Sequence, residues 1–280
     1  MVSGACLCGA LRYTVEGPLT DLVHCHCSRC RKHHGAPFAS FVAAQARGFR
    51  WLTGADHVQT YRSSPAGVRP FCPTCFAVAP TVAGDTVYLP AGNLEDPLAE
   101  LRAVHAYVGS KASWHTLADD LPRYDAAPPG RSSLEVEWPA PPTLASGVHG
   151  SCLCGDVRFA VEGRPTRFML CHCSRCRRGR SAAHGANTFY PLAQFSWLAG
   201  QSQVRAYRLP EAARFALAGC VRCGSGAPVI REGVPFVLVP AGLLDGDPGL
   251  RPEAHIHVAS GAAWYPFHDD LPQFAELPPA

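Results

Sequence analysis

The chain has 280 residues, 47% of them hydrophobic, with 25 Lys and Arg against 22 Asp and Glu and a formal net charge of +3. So small a charge excludes a strongly basic nucleic-acid surface, and the hydrophobic content excludes a disordered chain. No segment reaches the roughly eighteen apolar residues of a membrane span, and the N-terminal residues do not resemble a signal peptide. We therefore expect a cytoplasmic protein with no nucleic-acid or membrane partner and with room for two domains.

The predicted elements are mostly short strands. Alternating or β-rich runs separated by Gly, Pro and Asp predict antiparallel sheets, at residues 11–15, 38–42, 86–89, 157–161 and 236–239. Helical signals are few, and they fall at residues 27–33, 96–101 and 113–119. The sequence therefore predicts a mainly β fold with few short helices.

The chain is a tandem repeat. Its 14 cysteines form two sets with the same spacing, and Gly-Ala-Cys-Leu-Cys-Gly at 4–9 recurs as Gly-Ser-Cys-Leu-Cys-Gly at 150–155, an offset of 146 (150 minus 4). The offset rises to 148 between Cys72 and Cys220, which places short insertions in the second copy. We predict a first domain at residues 1–126, a Pro-rich linker at 127–146 and a second domain at 147–280.

Seven cysteines in each copy suit zinc better than disulfides. An odd number cannot be fully paired, and a reducing compartment disfavours disulfides. A closed zinc site has four protein ligands, and an open site has three. Two remote pairs per copy would form the closed sites: Cys6, Cys8, Cys72 and Cys75, then Cys152, Cys154, Cys220 and Cys223. The compact trios would form the open sites: Cys25, Cys27 and Cys30, then Cys171, Cys173 and Cys176.

These motifs, together with Cys-His-Cys-Ser-Arg-Cys-Arg at 25–31 and Asp-Leu-Pro at 120–122, resemble the glutathione-dependent formaldehyde-activating enzyme family, also called the centromere protein V family. The resemblance implies two tandem zinc-bound, two-sheet, tent-like domains with two zinc ions each, about four per chain. It also implies that the pairs hold structural zinc and that both trios, Cys25, Cys27, Cys30, Cys171, Cys173 and Cys176, hold catalytic zinc. The implied enzyme is a carbon–sulfur lyase that joins glutathione, or a similar small thiol, to a small electrophile such as formaldehyde.

Zinc with three thiolates has a formal charge of minus one and would favour the deprotonated form of an incoming thiol. Basic residues flank the trios at Arg29, Arg31, Lys32, Arg175, Arg177, Arg178 and Arg180. They either bind substrate carboxylates, or they balance the charge of the zinc-thiolate group or lie in solvent, and both interpretations stay open. His26 and His172 are expected to point away from the metal, and His105 and His255 to be hydrogen-bonded packing residues.

Four further expectations concern how the copies are built and what they do. Trp114 and Trp264 are interpreted as core anchors that close their own copies, and the copies could pack as an intramolecular pseudo-dimer. Phe76 follows Cys75 where the second copy has Gly224, so Phe76 would adopt a positive φ only at a cost. The alternative function is a non-catalytic, zinc-stabilised binding module, and the three-cysteine trios favour the enzyme.

Overall fold

The computed structural model describes residues 1–65, 67–95, 98, 101–129, 147–212 and 215–279. In this part of the chain the fold is mainly β and its two copies have matching element orders, as predicted. The predicted linker at 127–146 and the predicted helix at 96–101 fall mostly outside the described residues, so the domain boundaries stay a prediction. The two α-helices have seven residues each, and none of the described helical segments has the length and apolarity that a bilayer crossing demands.

The first copy contains one α-helix and eleven strands among the described residues. The helix α1 spans Ser28–His34. The strands are β1 Val2–Ala5, β2 Arg12–Val15, β3 Leu22–Cys25, β4 Ala39–Gln45, β5 Phe49–Thr53, β6 Gln59–Arg62, β7 Val68–Phe71, β8 Thr81–Ala83, β9 Thr86–Pro90, β10 Ala103–Ala106 and β11 Arg123–Tyr124. They form a three-stranded sheet β1-β2-β5, a six-stranded sheet β11-β10-β3-β4-β9-β8 and the hairpin β6-β7.

The second copy repeats this arrangement. The helix α2 spans Ser174–Arg180. The strands are β12 Val148–Ser151, β13 Arg158–Val161, β14 Arg167–Cys171, β15 Gly185–Pro191, β16 Phe195–Ala199, β17 Val204–Arg208, β18 Ala216–Cys220, β19 Val229–Ile230, β20 Phe236–Pro240, β21 Ala254–Ile256 and β22 Gln273–Phe274. Their sheets are β12-β13-β16, β19-β20-β15-β14-β21-β22 and the pair β17-β18.

The large sheets are mixed, so the prediction of antiparallel sheets was only partly right. Strand β10 lies parallel to both β3 and β11, and His105 of β10 is level with His24 of β3. Parallel neighbours need a long crossover connection, and the chain between β3 and β10 is long enough to supply one. This pairing places β10 directly beside the strand that ends at Cys25.

The helix predicted at 27–33 is confirmed as α1, whereas residues 113–119 form turns and irregular structure. The side chain of Cys27 caps α1 by accepting a hydrogen bond from the backbone N–H of Cys30, and Gly35 ends the helix in the left-handed conformation. In the second copy Ser181 occupies that left-handed position at φ 51°. Its hydroxyl accepts a hydrogen bond from the N–H of Val78 in the first copy, which fixes this less favourable conformation.

Each copy inserts a tryptophan into the core of the other. Between β10 and β11 the chain carries Trp114 into the second core, where its ring packs on Phe168 at a centroid distance of 5.2 Å. Trp264 lies in the first core, stacked on His24. The interpretation that these tryptophans close their own copies was therefore wrong. Parallel neighbours such as β10 and β11 cannot be joined by a tight turn, and the longer connection reaches the adjacent copy.

Polar contacts join the copies as well. Lys32 is almost completely buried, and its ammonium group lies 2.5 Å from the carboxylate of Asp245 in the second copy. At the equivalent place on α2, Arg178 pairs with Glu95 of the first copy at 3.0 Å. Burying an ammonium group is costly unless it is paired and hydrogen-bonded, and Lys32 also donates to Ser151. The pair therefore fixes how α1 sits against the second copy.

Because each copy buries a tryptophan of the other, replacing one of these tryptophans should destabilise the opposite copy. Trp114→Ala should destabilise the protein by about 3–5 kcal/mol, because it removes a buried ring from a packed core. The loss should appear as faster amide hydrogen exchange around Phe168 in the second copy. Trp264→Ala is the mirror control and should act on β4 and β9 of the first copy. Faster exchange confined to the substituted copy in each variant would contradict the described crossing.

Candidate metal centres and the adjoining cavity

The remote cysteine pairs of each copy come together in four-sulfur clusters. In the first cluster the sulfur atoms of Cys6 and Cys8 lie 3.5 Å apart, and those of Cys8 and Cys72 lie 3.6 Å apart. In both clusters all four sulfurs lie within 4.8 Å of one another, and no cysteine is in a disulfide. Four thiolates at about 2.3 Å from one zinc ion would be separated by about 3.8 Å, so the clusters fit tetrahedral zinc.

These clusters are enclosed and supported by the backbone. Cys6, Cys72 and Cys75 are buried, and the N–H of Leu11 points at the Cys6 sulfur from 3.3 Å. Tyr207 of the second copy packs against the first cluster, as Tyr61 of the first copy packs against the second. A buried site with four donors has no position for substrate, so the described geometry suits a structural ion.

A tight backbone turn follows the second cysteine pair of each copy. In the first copy this turn is strained, as expected. Phe76 has φ 60° where Gly224 has φ 71°, and only glycine adopts such angles freely. The ring of Phe76 lies on Gly219 of the second copy, where an added Cβ atom would sit 2.2 Å from the ring. Phe71 lies in the same way on Gly224, at 2.3 Å from such an atom. Packing against the second copy offsets the backbone strain at Phe76.

The compact cysteines form three-sulfur trios at the start of each helix. Cys25 ends β3, Cys27 caps α1, and Cys30 lies in the first turn, so the end of β3 and the start of α1 together present the three sulfurs. The sulfurs of Cys25 and Cys27 are 3.6 Å apart, and the second trio has the same spacing between Cys171 and Cys173. Among the described residues no carboxylate, imidazole or further thiol joins either trio. Three donors leave one position of a tetrahedral ion free.

The surroundings of the two trios differ. Cys25 and Cys27 are half-buried, and Cys25 and Cys30 line a cavity of about 480 Å³ together with Arg69, Tyr88 and Tyr107. In the second copy all three cysteines are buried, packed in an apolar cluster with Met169, Ala254 and Ile256. The cavity volume lies within the range of about 300–1,000 Å³ that small-molecule sites occupy. The first trio therefore borders a space of substrate size.

Arg69 is the functional candidate that sequence reasoning missed. It lies on β7, and its guanidinium group approaches the Cys30 sulfur at 3.5 Å while its Nε donates to the hydroxyl of Ser63. The pKa of the Cys30 thiol is lowered well below its ordinary value by hydrogen bonds from the Cys25 and Cys27 thiols, with a further contribution from the charge of Arg69. The one feature of the sequence that pointed to Arg69 was its position three residues before Cys72.

The basic residues that flank the trios in sequence have other partners. Arg31 donates to the carbonyl oxygens of Gly242 and Leu244, and Lys32 pairs with Asp245. Arg178 pairs with Glu95, and Arg175 lies over the ring of Phe215. Arg29, Arg31 and Lys32 are absent from the described lining of the cavity. The interpretation that they bind substrate carboxylates is therefore not supported for Arg31 and Lys32, which bind the second copy.

A chain of hydrogen bonds leads away from each trio. His26 lies between two trio cysteines, and its Nε2 atom is 2.8 Å from Nδ1 of His105, whose Nε2 is 3.0 Å from the carboxylate of Asp119. The second copy repeats the chain as His172, His255 and Asp269. Burial lowers the pKa of His26 to about 3, so its imidazole is neutral. His105 and His255 are confirmed as buried, hydrogen-bonded residues, and the part of Asp119 and Asp269 in holding them was not predicted.

One comparison with known proteins agrees with the repeat. The family model described as glutathione-dependent formaldehyde-activating enzyme matches residues 1–110 and 147–260. A solved structure described as a Rhodobacter sphaeroides protein is similar at 27% identity over 36% of this chain and 99% of its own, with a TM-score of 0.30. No curated protein matches the chain.

The clusters predict how metal is held. The protein should bind about four zinc ions, two released slowly by a chelator and two released readily, because four buried thiolates hold zinc more firmly than three. Elemental analysis and chelator-release kinetics measure both quantities. Cys72→Ser should remove one slowly released ion and destabilise the first copy, whereas Cys27→Ser should remove one readily released ion with the fold retained. Two ions in total, both slowly released, would contradict metal at the trios.

The close packing of Phe71 on Gly224, in the turn after the second cysteine pair, leads to a prediction about stability. Gly224→Ala should cost about 1–3 kcal/mol more than Gly155→Ala, since overpacking carries a penalty of that size. Both glycines have similar positive φ angles, but an added Cβ atom meets Phe71 only at Gly224 and meets nothing within 4 Å at Gly155. Denaturant unfolding of the two variants gives the difference. Equal losses would show that the ring does not restrict Gly224.

Proposed function

This chain belongs to the glutathione-dependent formaldehyde-activating enzyme family, and we propose that it is a zinc-dependent carbon–sulfur lyase of the S-(hydroxymethyl)glutathione synthase type. It adds glutathione, or a similar small thiol, to a small electrophile such as formaldehyde. The observation that carries the proposal is the cysteine trio that borders a cavity of substrate size without a fourth protein donor. An ion with a free position next to such a space is typical of catalytic zinc and not of structural zinc.

In this proposal Cys25, Cys27 and Cys30 hold a catalytic zinc ion, and Cys171, Cys173 and Cys176 offer a second such site. Zinc bound there favours the thiolate form of an incoming thiol at neutral pH. In the addition the thiol sulfur forms a bond to the carbonyl carbon, the carbonyl π bond breaks, and the thiol proton ends on the new hydroxyl oxygen. The four-sulfur clusters hold structural zinc and supply no chemistry.

The side chains around the first trio contribute binding and positioning. Phe41, Tyr88 and Tyr107 line the cavity and offer aromatic surface against which a bound thiol can pack. Aromatic walls with a few polar groups are usual in small-molecule sites. Holding two small reactants together can lower a bimolecular barrier by several kcal/mol through positioning alone. An uncharged aldehyde needs little recognition, so most of the binding surface would serve the thiol.

Three further parts of the proposal concern the whole chain. We propose that the domains span residues 1–126 and 147–280, and that the contacts of Lys32 with Asp245 and Arg178 with Glu95 unite them as an intramolecular pseudo-dimer. We also propose zinc as the metal, on the basis of thiolate donors at tetrahedral spacing. A cytoplasmic location fits the free cysteines, because reducing compartments keep thiols from pairing.

The second candidate function is a non-catalytic, zinc-stabilised binding module. The burial of all three cysteines in the second trio favours it for that copy. The cavity beside the first trio favours the enzyme, since a purely structural ion gains nothing from an open position. Thiol binding at the metal separates the two functions. Cobalt substituted into the trios should change its absorption when glutathione is added if the enzyme assignment is right.

A single substitution tests the proposed reaction. Cys27→Ser should lower the consumption of formaldehyde that the first trio contributes by roughly 100-fold or more, because that trio loses one of its three ligands and with it the activated thiol. Product formation above the spontaneous rate, followed by nuclear magnetic resonance, measures the effect. Circular dichroism should show the fold retained. Full turnover in the variant would remove the trio from the reaction.

A further inference from the structure

The two copies differ at the position that faces the trio. The offset of 148 that relates Cys72 to Cys220 (220 minus 72) relates Arg69 to Leu217. Arg69 approaches the sulfur of Cys30 at 3.5 Å and lines the cavity, whereas Leu217 is 4% exposed and packed. The arginine that touches the first trio thus corresponds to a buried leucine in the second copy.

A second difference accompanies the first. The offset of 146 that relates the helices maps His33 onto Gly179. A Cβ atom at Gly179 would lie 2.4 Å from Cδ1 of Leu217, so the leucine occupies space that any side chain at 179 would need. The two differences occur together: the first copy has Arg69 and His33, and the second copy has Leu217 and Gly179 at the equivalent positions. The second copy has packed the volume that stays polar in the first.

The second trio is also covered by apolar side chains. Its three cysteines are each no more than 9% exposed, and Phe189, Phe215 and Phe274 pack against the cluster that contains them. Two cysteines of the first trio are half-buried and two line the cavity. A charged thiol substrate would have to displace packed apolar groups to reach the second trio. It would meet open space and a guanidinium group at the first.

Arg69 suits the recognition of an anion. It is the one cation among the described residues that line the cavity, and no carboxylate lines it. Two of its N–H groups have partners, namely Cys30 and Ser63, and a guanidinium group has five. The planar arrangement of these donors matches a carboxylate in two-point hydrogen bonding, which a lysine cannot reproduce. Donors therefore remain for a carboxylate that enters the cavity.

We propose that the first copy carries the working site, that Arg69 binds the carboxylate of an anionic thiol there, and that the second trio is a three-cysteine metal site that is covered from substrate and serves the fold. This inference rests on the proposed function for the identity of the substrate. The competing role for Arg69 is to balance the negative charge of the metal-bound trio. That role would matter equally for charged and uncharged thiols, so the two roles make different kinetic predictions.

The first experiment needs no turnover. The full-length zinc-loaded chain is treated with iodoacetamide or with iodoacetate, in which the thiolate sulfur bonds to carbon as iodide leaves, and modified peptides are quantified by mass spectrometry. Cysteines of the first trio should react at least 10-fold faster than those of the second. The rate ratio of the anionic to the neutral reagent at the first trio should fall at least 3-fold in Arg69→Leu. Equal rates at both trios, or an unchanged ratio in the variant, would overturn the proposal.

The second experiment measures specificity. Arg69→Leu should lower kcat/KM for glutathione 10- to 100-fold, mostly through KM, and should change kcat/KM for the uncharged thiol 2-mercaptoethanol less than 3-fold. Arg69→Lys keeps the charge and should restore part of the glutathione activity, which separates loss of binding from misfolding. Arg12→Leu, at an exposed position on β2, is the matched control and should leave both thiols unaffected. An equal loss for both thiols would overturn the role of Arg69 as an anion-binding residue.

The outcomes keep this inference separate from the proposed function. If the first trio reacts selectively and prefers the anionic reagent but no product forms from glutathione and formaldehyde, the proposed reaction fails and the site assignment stands. If product forms and Cys173→Ser lowers turnover as much as Cys27→Ser does, the reaction stands and the assignment to the first copy is overturned.

Discussion

Two aromatic rings that lie on glycine backbone join the copies directly beside the four-sulfur clusters. Phe71 and Phe76 come from the first copy, and the glycines beneath them, Gly224 and Gly219, come from the second. These residues adjoin the cysteine pairs at 72–75 and 220–223, so the contact between the copies also fixes the turns that supply half of each four-sulfur cluster. Two molecules of the first copy alone could not pair in this way, because Phe71 of one molecule would meet Phe76 of the other where the structure has a glycine.

Fusion into one chain allows the copies to differ. In a symmetric dimer every residue occurs twice, so a substitution that closes one site closes both. Here Arg69 and Leu217 occupy equivalent places, and only Leu217 is packed away from solvent. The tryptophans cross into opposite cores, which ties the stability of each copy to the other. A second copy that no longer turned over substrate would still be needed, because it supplies Trp264 to the first core.

The sequence predicted the parts of the site that depend on local spacing. Cys25, Cys27 and Cys30 lie close together in the chain, at the end of β3 and the start of α1, so their assembly could be predicted from the sequence. What the sequence could not predict depends on which segments meet. Arg69 of β7 reaches Cys30, which lies 39 residues earlier in the chain, and Lys32 faces Asp245 in the other copy instead of the trio. Trp114 shows the same limit, since a buried aromatic residue does not specify whose core it fills.

The histidine chains show how the internal repeat can separate support from catalysis. His26, His105 and Asp119 form hydrogen bonds in the first copy that recur in the second, although the second trio is buried and lacks a counterpart of Arg69. Each chain links the residue between two trio cysteines to the neighbouring parallel strand and then to the crossing loop. The histidine chains therefore belong to the framework that both copies share, and the features found only beside the first trio are the ones that suit a substrate.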